Sequence, residues 1–471
     1  MRLLVVIHRW LGVAFCLFFT MWFATGIVMH FVPYPELTEA ERMSGLGPIW
    51  TTLVRHPAAA AVAASGMETA ARVRLVSRLG SLVYIVQADA RLAAIDALSL
   101  KAAPVRAGTL ALEIAMDHAR RRGFGIADAR LVELASYDQW TVPNALDLHR
   151  PLYRIALNDR AGTNVYVSSQ TGEVVRDTTQ HERAWNFAGS VLHWIYPTVL
   201  RSNWRAWDVT VWVLALAASI TALAGMVLGV ARLGFRERRI SSPYRGWHAW
   251  HHWLGLVSMV FVLSFIVSGW LSMDHGRLFS TGKLMPEEVD ALRGQPTWAD
   301  APQRPIETAA ADPIEIEWFF LGSRLYRRVA YADGPQRVAD GEHTTSTFIP
   351  AAAVNAAAHR LARDCGPARV VTDDDAYRFK SIVQGAPVYR VVCGDDWFHI
   401  DGANGALLEK LDASRRSYRW AYQALHTLDF PSLAARPALR EAVIVALCGL
   451  GLVFSLTGVV IAWRRITHAS G

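Results

Sequence analysis

Four long apolar stretches dominate the sequence. In the segments between them, apolar and polar residues alternate over short distances. A helix that crosses a bilayer of about 30 Å needs roughly 20 predominantly apolar residues. We therefore predict four membrane-spanning helices, at residues 3–32, 209–230, 253–273 and 442–463. The first stretch is too long for the apolar part of a signal peptide and has no small-residue cleavage site, so we expect it to be retained.

The two long connections between the spans show the periodicities of small α+β domains. Helical spacing covers residues 111–122 and 351–363, and period-two alternation marks the predicted strands. These strands are residues 82–87, 92–96, 129–134, 154–157, 164–168, 388–393 and 397–400. Residues 58–100 form one such unit, with residues 313–345 as its partner in the second half. Residues 295–305 contain three prolines and are predicted to be a linker.

Basic residues collect at one side of the predicted spans. They lie near the N-terminus, in the short connection between the second and third spans, and after the last span. These residues are Arg2, Arg9, Arg232, Arg236, Arg238, Arg239, Arg245, Arg464 and Arg465, against the single acid Glu237 in the short connection. The positive-inside rule makes this side cytoplasmic, with both termini there and the long connections outside. The net charge of +7 then reflects topology, and we expect no nucleic-acid binding.

The third span resembles the first. The sequence His-Arg-Trp-Leu-Gly begins at His8, and His-His-Trp-Leu-Gly begins at His251. A Thr-Gly or Ser-Gly pair ends 18 residues after each leading histidine, at Gly26 and at Gly269. A histidine just inside a membrane helix is costly unless it is used, and here the placement occurs twice.

The second and fourth spans match in the same way. His193 precedes Gly225 by 32 residues, and His426 precedes Gly458 by the same number. Each half is therefore a span, an external domain, a histidine-bearing segment and a second span. Parallel repeats of this kind imply a pseudo-two-fold axis along the membrane normal.

The predicted fold is an α-helical membrane protein with four spans in two parallel repeats and α+β external domains. The predicted segments alternate between membrane and external or connecting parts of the chain. They are span 1 (1–32), external region 1 (33–180), an amphipathic histidine-bearing segment (181–206), span 2 (207–232), a cytoplasmic loop (233–247), span 3 (248–274), external region 2 (275–415), a second histidine-bearing segment (416–440) and span 4 (441–464).

The external domains and the spans resemble two related families. The strand at residues 164–168 with the closing turn Thr171-Gly172-Glu173 resembles the PepSY domain. The histidine-led spans, the Thr-Gly pair and the Leu-His segment before a glycine-containing last helix resemble the PepSY-associated transmembrane helix family, over nearly the whole chain. Two departures stand out: the second-half turn reads Ala-Asn-Gly-Ala, and His252 occupies the position of Arg9.

The resemblance implies an inner-membrane protein of bacterial iron–siderophore uptake, similar to di-haem ferric-siderophore reductases. It implies two b-type haems and electron transfer across the membrane to a periplasmic ferric complex. The cytoplasmic loop is too short for a flavin or nicotinamide domain, and no G-x-G-x-x-G motif opens a strand-to-helix turn. We therefore expect a separate electron donor, which is a quinol, a reduced flavin or a reductase protein.

Two pairs of histidines are the predicted axial ligands, because a b-type haem takes two ligands from facing elements. His8 and His251 are equivalent in the two halves and form the first pair. His252 and His248 are rival ligands, or orient the site.

The second pair is His193 and His426, which are equivalent by their spacing to a following glycine. His30 is an alternative ligand, a partner of the haem carboxylates, or an interfacial residue. His275 lies near the position equivalent to His30, where the symmetry is broken.

A function from a different class is also open at this point. PepSY domains are associated with binding or restraining peptidases, so the alternative is a non-redox regulator or scaffold that binds a periplasmic protein. Cys365 and Cys393 both lie in external region 2, where a disulfide is permitted. Cys16 and Cys448 lie inside spans and are predicted to be buried apolar residues.

Overall fold

The chain folds into two compact units, seen in a computed structural model that describes residues 1–88, 91–126, 128–236, 239–295, 298–300, 312–341 and 344–468. The helical unit comprises Met1–Tyr34, Ala184–Thr281 and Ser414–Gly471. The sheet unit comprises Pro35–Arg183 and Gly282–Ala413. Glu237 and Arg238 of the predicted loop, and most of the predicted linker at 295–305, lie outside the described residues.

Fourteen α-helices occur in the described ranges. They are α1 (Arg2–Phe31), α2 (Glu39–Ser44), α3 (Ala58–Ser65), α4 (Gly108–Arg121), α5 (Gln180–Asn186), α6 (Thr198–Arg201), α7 (Trp204–Ala231), α8 (Gly246–Leu271), α9 (Pro286–Arg293), α10 (Ala351–Ala358), α11 (Ala413–Arg419), α12 (Leu425–Thr427), α13 (Pro431–Ala434) and α14 (Pro437–His468).

Within the described ranges, the strands form four antiparallel sheets. They are β1 (Arg72–Arg78), β2 (Ser81–Ala88), β3 (Arg91–Asp96), β4 (Arg130–Ala135), β5 (Leu152–Ala156), β6 (Asn164–Ser168), β7 (Val174–Thr178), β8 (Gly234–Arg236), β9 (Arg239–Ser241), β10 (Pro313–Leu321), β11 (Arg324–Tyr331), β12 (Arg337–Asp340), β13 (Thr344–Ser346), β14 (Arg369–Val370), β15 (Val388–Cys393), β16 (Asp396–Asp401) and β17 (Leu407–Leu411).

The helical unit is built on the four long apolar helices α1, α7, α8 and α14, each long enough to cross a membrane. The predicted spans are therefore confirmed, although α8 begins at Gly246 rather than at residue 253, and α7 and α14 also begin earlier than predicted. Helix α1 packs against α7 and α14, and α8 packs against the same two helices. The bundle thus places α1 and α8 on one diagonal, from which their side chains approach each other.

A seven-stranded sheet joins the two halves of the sequence. Its order is β13-β12-β11-β10-β1-β2-β3, so β1 from the first half pairs with β10 from the second, with Leu75 opposite Ile316. Residues 58–100 and 313–345, which we predicted to be equivalent units of the two halves, thus contribute strands to one sheet, a pairing that the sequence did not predict. Leu75, Tyr84 and Ile316 are fully buried in the core on this sheet.

Two four-stranded sheets complete the sheet unit, with orders β4-β5-β6-β7 and β14-β15-β16-β17. Helix α4 packs on the first sheet and α10 on the second. The predicted helix at 351–363 is wrong after Ala358, because the chain turns there to bring Cys365 beside Cys393. These two cysteines form a disulfide bond.

A buried ion network lies on the seven-stranded sheet. The carboxylate of Glu315 binds Arg42 at 2.8 Å and Arg328 at 2.6 Å, and that of Glu317 binds Arg328 at 2.6 Å. Burial alone would raise the pKa of Glu315, but the charges of Arg42, Arg74 and Arg328 outweigh it and hold that pKa well below its ordinary value. Each buried carboxylate is thus compensated by guanidinium groups, as a charge in a protein interior requires.

Candidate functional site

The first predicted histidine pair comes together inside the helical bundle. His8 lies in the second turn of α1 and His251 in the second turn of α8. Their ring centres are 6.3 Å apart, and the ring planes make an angle of 39°. The two helices are diagonal neighbours, so this contact crosses the centre of the bundle.

The second predicted pair, His193 and His426, has the same separation. The ring centres lie 6.3 Å apart, with an angle of 64° between the planes. Both rings come from short helical segments that precede α7 and α14, rather than from the long helices themselves. The structure therefore brings together both pairs of histidines that the sequence singled out.

The backbone around His193 and His426 has the same unusual geometry in both places. A π-helical turn begins six residues before each histidine, at Phe187–Val191 and at Trp420–Ala424. Two residues after each histidine, Ile195 and Leu428 adopt left-handed conformations, with φ of 50° and 52°. Such backbone features cost energy and are concentrated at functional sites.

Hydroxyl groups on the spans fix the rings of the second pair. The Oγ1 of Thr25 donates its hydrogen to the carbonyl of Met21, so it can only accept from His193 Nδ1, which lies 3.0 Å away. On the other side, His426 Nδ1 lies 3.1 Å from both Ser268 Oγ and the carbonyl of Phe265. A carbonyl only accepts, so Nδ1 of His426 carries the hydrogen and its Nε2 is left unprotonated, and the contact with Thr25 is compatible with the same arrangement for His193.

The first pair follows the same rule. His8 Nδ1 donates to the carbonyl of Thr221 at 3.1 Å. His251 Nδ1 lies 2.9 Å from Thr457 Oγ1, which donates its own hydrogen to the carbonyl of Phe454. An anchored Nδ1–H with a free Nε2 lone pair is the arrangement of a metal-binding imidazole, whose other nitrogen is held by the protein.

A glycine faces each of the four rings. A Cβ atom on Gly225 would lie 2.6 Å from His8 Cε1, and one on Gly269 would lie 3.1 Å from His426 Cε1. For Gly26 and Gly458 the corresponding distances to His193 and His251 are both 3.6 Å, an ordinary contact. The imidazoles thus lie directly on helix backbone, and at Gly225 and Gly269 a side chain would displace them.

Apolar and aromatic side chains fill the bundle between the two pairs. His8 and Gly26, which marks the level of His193, are 18 residues apart on α1, or about 27 Å of helix. The buried cluster between them includes Phe15, Phe23 and Phe265. The two pairs are therefore separate sites at opposite ends of the bundle.

The other candidate histidines have different surroundings. His252 donates from Nε2 to the carbonyl of Gly229 at 2.9 Å and accepts at Nδ1 from Ser242 Oγ at 2.7 Å, which occupies both of its nitrogens. The ring of His30 packs on Phe31 rather than on either pair. His275 Nδ1 contacts the carboxylate of Asp208, and His248 is exposed.

The residues fit a metal carried by a macrocycle. A nitrogen–metal–nitrogen bridge with metal–nitrogen bonds of about 2 Å places two imidazole centres roughly 6 Å apart. Among the described residues no group of three or more His, Cys, Asp or Glu side chains is placed to hold a metal ion by itself. Two axial imidazoles are what a haem iron takes from a protein, since the macrocycle supplies the other ligands.

Two buried indole groups near the second pair also lack partners. The Nε1 atoms of Trp212 and Trp270 have no acceptor within the described part of the chain, and their ring centres lie 5.7 Å apart. Trp270 directly follows Gly269, on which His426 lies. These N–H groups would be available as donors if a cofactor with an acidic group were bound at this end of the bundle.

Four long apolar helices around a closely packed interior define the chain as an integral membrane protein with α+β soluble regions. The family model of the PepSY-associated TM region matches residues 5–465, and the chain belongs to this family. Family membership, predicted from the histidine-led spans, is thereby confirmed. No curated protein matches the chain.

The sequence did not reveal the residues that hold the histidines. Thr25-Gly26 and Ser268-Gly269 were markers of the repeat, and the structure shows that the hydroxyl anchors a ring while the glycine makes room for it. The paired occurrence of a hydroxyl residue and a glycine near the end of a span was the available signal. Thr221 gave no such signal in the sequence, because it contributes only its backbone carbonyl.

Proposed function

We propose that this protein is a bacterial inner-membrane b-type haem protein that transfers electrons across the membrane to a periplasmic ferric complex. The observation that carries the proposal is that the bundle contains two pairs of imidazoles. In each pair the ring centres lie 6.3 Å apart, and every Nδ1 has a hydrogen-bond partner in the protein. His8 and His251 would hold one haem, and His193 and His426 the other. When bound, haem supplies a one-electron carrier whose iron alternates between the ferric and ferrous states.

The two halves are, in this proposal, parallel repeats around an axis through both sites. Equivalent π-helical turns and left-handed residues next to His193 and His426 support it. Equivalent glycines facing each histidine also support it. A site on the axis receives one imidazole from each repeat, and this explains why each pair combines residues from both halves of the sequence.

The proposed orientation places the termini in the cytoplasm and the sheet unit in the periplasm. Arg464 lies over the ring of Trp247 and Arg465 over that of Trp10, at 6.0 and 5.3 Å. Arginine and tryptophan together are typical of the headgroup level, and an excess of arginine marks the cytoplasmic side. His8 and His251 would then lie near the cytoplasmic face, and His193 and His426 near the periplasmic face.

A ferric siderophore is the proposed electron acceptor. Siderophores bind Fe(III) through hard oxygen ligands, which hold Fe(II) much less tightly, so reduction releases the iron. The chain would contribute the ligands of both sites, and its buried apolar cluster would exclude water between them. A separate donor (a quinol, a reduced flavin or a reductase protein) would supply the electrons.

The decisive experiment is a haem count with absorption spectra of the purified protein and its histidine variants. We expect two haems with bis-imidazole spectra in the wild type. His8→Ala and His251→Ala should each remove one haem, and His193→Ala and His426→Ala should each remove the other. His30→Ala is the matched control and should keep both, because His30 packs on Phe31.

Two results would contradict the proposal. Unchanged spectra in all four variants would show that these histidines are not ligands. A colourless protein from haem-replete cells would instead favour a non-redox regulator or scaffold that binds a periplasmic protein or peptidase. Reduction of a ferric siderophore by reconstituted vesicles with an internal donor then tests the transfer itself.

A further inference from the structure

The ring of Phe454 lies on the imidazole of His251, in the first of the two proposed haem sites. The two ring centres are 4.8 Å apart and the planes make an angle of 25°, which is a stacked arrangement. Aromatic rings in such pairs attract each other at centre-to-centre distances of about 4.5–7 Å. Phe454 belongs to α14 and packs on the buried apolar cluster of the helical unit. The proposed ligand set does not account for this ring.

Within the described residues, the partner histidine of this site is held differently. The ring that contacts His8 is that of His251. His8 also lies against the helix backbone at Gly225, where a Cβ atom would be 2.6 Å from its Cε1, 3.0 Å from its Nδ1 and 3.4 Å from its Nε2. Three atoms of the imidazole are thus close to one point of the backbone, so the helix itself limits how this ring can tilt.

His251 lies further from its own glycine. A Cβ atom on Gly458 would be 3.6 Å from His251 Cε1, against 2.6 Å for the equivalent pair of Gly225 and His8. The backbone contact that holds the first imidazole is therefore looser at the second. At His251 the ring of Phe454 supplies the close contact instead.

The repeat shows where this difference arises. Gly225 and Gly458 are equivalent, so Phe454, four residues before Gly458, corresponds to Thr221, four residues before Gly225. Thr221 holds His8 through its backbone carbonyl. At the same place in the second half, the chain has an aromatic side chain that stacks on the histidine.

A glycine on α8 makes room for the ring of Phe454. A Cβ atom on Gly255 would lie 3.1 Å from Phe454 Cε2 and 3.5 Å from its Cζ, so a larger side chain would push against the ring. The equivalent glycine on α1 is Gly12, which follows His8 by four residues as Gly255 follows His251. A Cβ atom on Gly12 would meet no described atom within 4 Å. Both halves thus have the glycine, and at Gly255 it forms part of the seat of an aromatic ring.

A hydrogen bond and a stacked ring restrict different motions of an imidazole. His251 Nδ1 lies 2.9 Å from Thr457 Oγ1. A single hydrogen bond fixes one edge of the ring and permits rotation about the line of that bond. A ring packed on the face opposes this rotation. It leaves the lone pair of Nε2 free to bind a metal, because that lone pair lies in the plane of the imidazole.

We propose that Phe454 is a positioning residue, which fixes the plane of the His251 imidazole and with it the angle between the two axial imidazoles of the first haem. That angle is 39° between the rings of His8 and His251. The inference rests on the haem that we propose for this pair. The electronic structure of a low-spin ferric haem, and therefore its EPR g values, depends on how its axial ligands are oriented and held.

EPR spectra of the oxidised full-length protein in detergent test this role, with Phe454→Leu and Phe454→Tyr as variants. Leucine removes the ring and stays apolar, whereas tyrosine keeps the ring. We expect Phe454→Leu to shift the g values of the haem proposed for His8 and His251, and to release that haem about 2–10-fold faster to excess apomyoglobin. Phe454→Tyr should keep the wild-type g values, and the haem proposed for His193 and His426 should be unchanged in both variants.

The two equivalent glycines provide a matched pair of further variants. Gly255→Val should shift the same signals, because its side chain pushes Phe454 away from His251, whereas Gly12→Val should leave them unchanged. If Phe454→Leu does not fold, these two variants decide, and equal spectra for them would overturn the inference. Wild-type g values in Phe454→Leu with both haems bound would overturn this inference and leave the proposed function intact. A wild-type protein without haem would overturn both.

Discussion

At the scale of single residues, the four histidines depend on neighbours that hold their Nδ1 atoms. Substitution of Thr25 by Val keeps the shape of the side chain and removes the oxygen that accepts from His193. Loss of such a supporting hydrogen bond typically weakens metal binding by about 10–100-fold. We therefore expect Thr25→Val to lose haem from the site of His193 and His426 faster than the wild type, measured by transfer to an excess of apomyoglobin.

The control for this variant lies on the same helix. Thr20 donates its hydroxyl to the carbonyl of Cys16 at 2.9 Å, and it makes no hydrogen bond to any histidine that the structure describes. Thr20→Val should release haem at the wild-type rate. Equal rates for the two variants would mean that the Thr25 hydroxyl does not support the ligand.

The histidines themselves were predictable because membrane histidines are rare and these recur at fixed spacing. Their neighbours were less accessible to sequence analysis. Thr25 and His193 are 168 residues apart, and His8 and Thr221 are 213 residues apart, so only the folded bundle shows that they meet. The choice between His251 and His252 as ligand also needed the fold. Only the structure shows that both nitrogens of His252 are occupied by hydrogen bonds.

At the scale of elements, the π-helical turn at Phe187–Val191 sets the direction of His193. A π-helical turn contains one residue more than an α-helical turn, so removal of one residue should restore α-helical spacing. Each residue of an α-helix turns the chain by about 100°. We expect deletion of Ala188 to rotate His193 away from His426 and to abolish haem binding at the second proposed site.

The first site in the same molecule provides the internal control. Spectra of the deletion variant should keep the signals of the haem that we propose for His8 and His251 and lose those of the haem that we propose for His193 and His426. Retention of both haems would show that the extra residue of the turn does not position the ligand.

Long periodic elements were the easiest to predict. All four spans were found, and strands β6 and β15 have their predicted bounds, because apolar runs and alternation persist over several residues. Helix α10 is shorter than predicted, since residues 359–363 keep a helical pattern while tertiary contacts turn the chain toward Cys393. The π-helical turns have no period of their own in the sequence and were not predicted.

At the scale of the whole molecule, the buried ion network of the seven-stranded sheet makes stability depend on pH. The pKa of Glu315 is held below its ordinary value of about 4.5 by Arg42, Arg74 and Arg328, against the effect of burial. Its contribution to stability is therefore complete above about pH 4.5 and is lost as the pH falls further. We expect the thermal unfolding temperature of the wild type to drop steeply below that pH.

Substitution of Glu315 isolates this effect. Glu315→Gln should lower the free energy of unfolding at pH 7 by about 3–5 kcal/mol, because it leaves buried guanidinium groups uncompensated. It should also flatten the fall in stability at acid pH. Glu133→Gln, which removes an exposed carboxylate paired with Arg154 at 2.9 Å, should cost at most about 1 kcal/mol. Similar losses in the two variants would contradict the role of the network.

The pairing of β1 with β10 has a consequence for biosynthesis. Leu75 leaves the ribosome long before its partner Ile316, and at about 5–20 residues per second the interval is roughly 12–50 s. Throughout that time β1 has a bare edge, which is the kind of surface that aggregates. The free edge of β1 therefore stays exposed until β10 has been synthesised, unless another protein covers it during that interval.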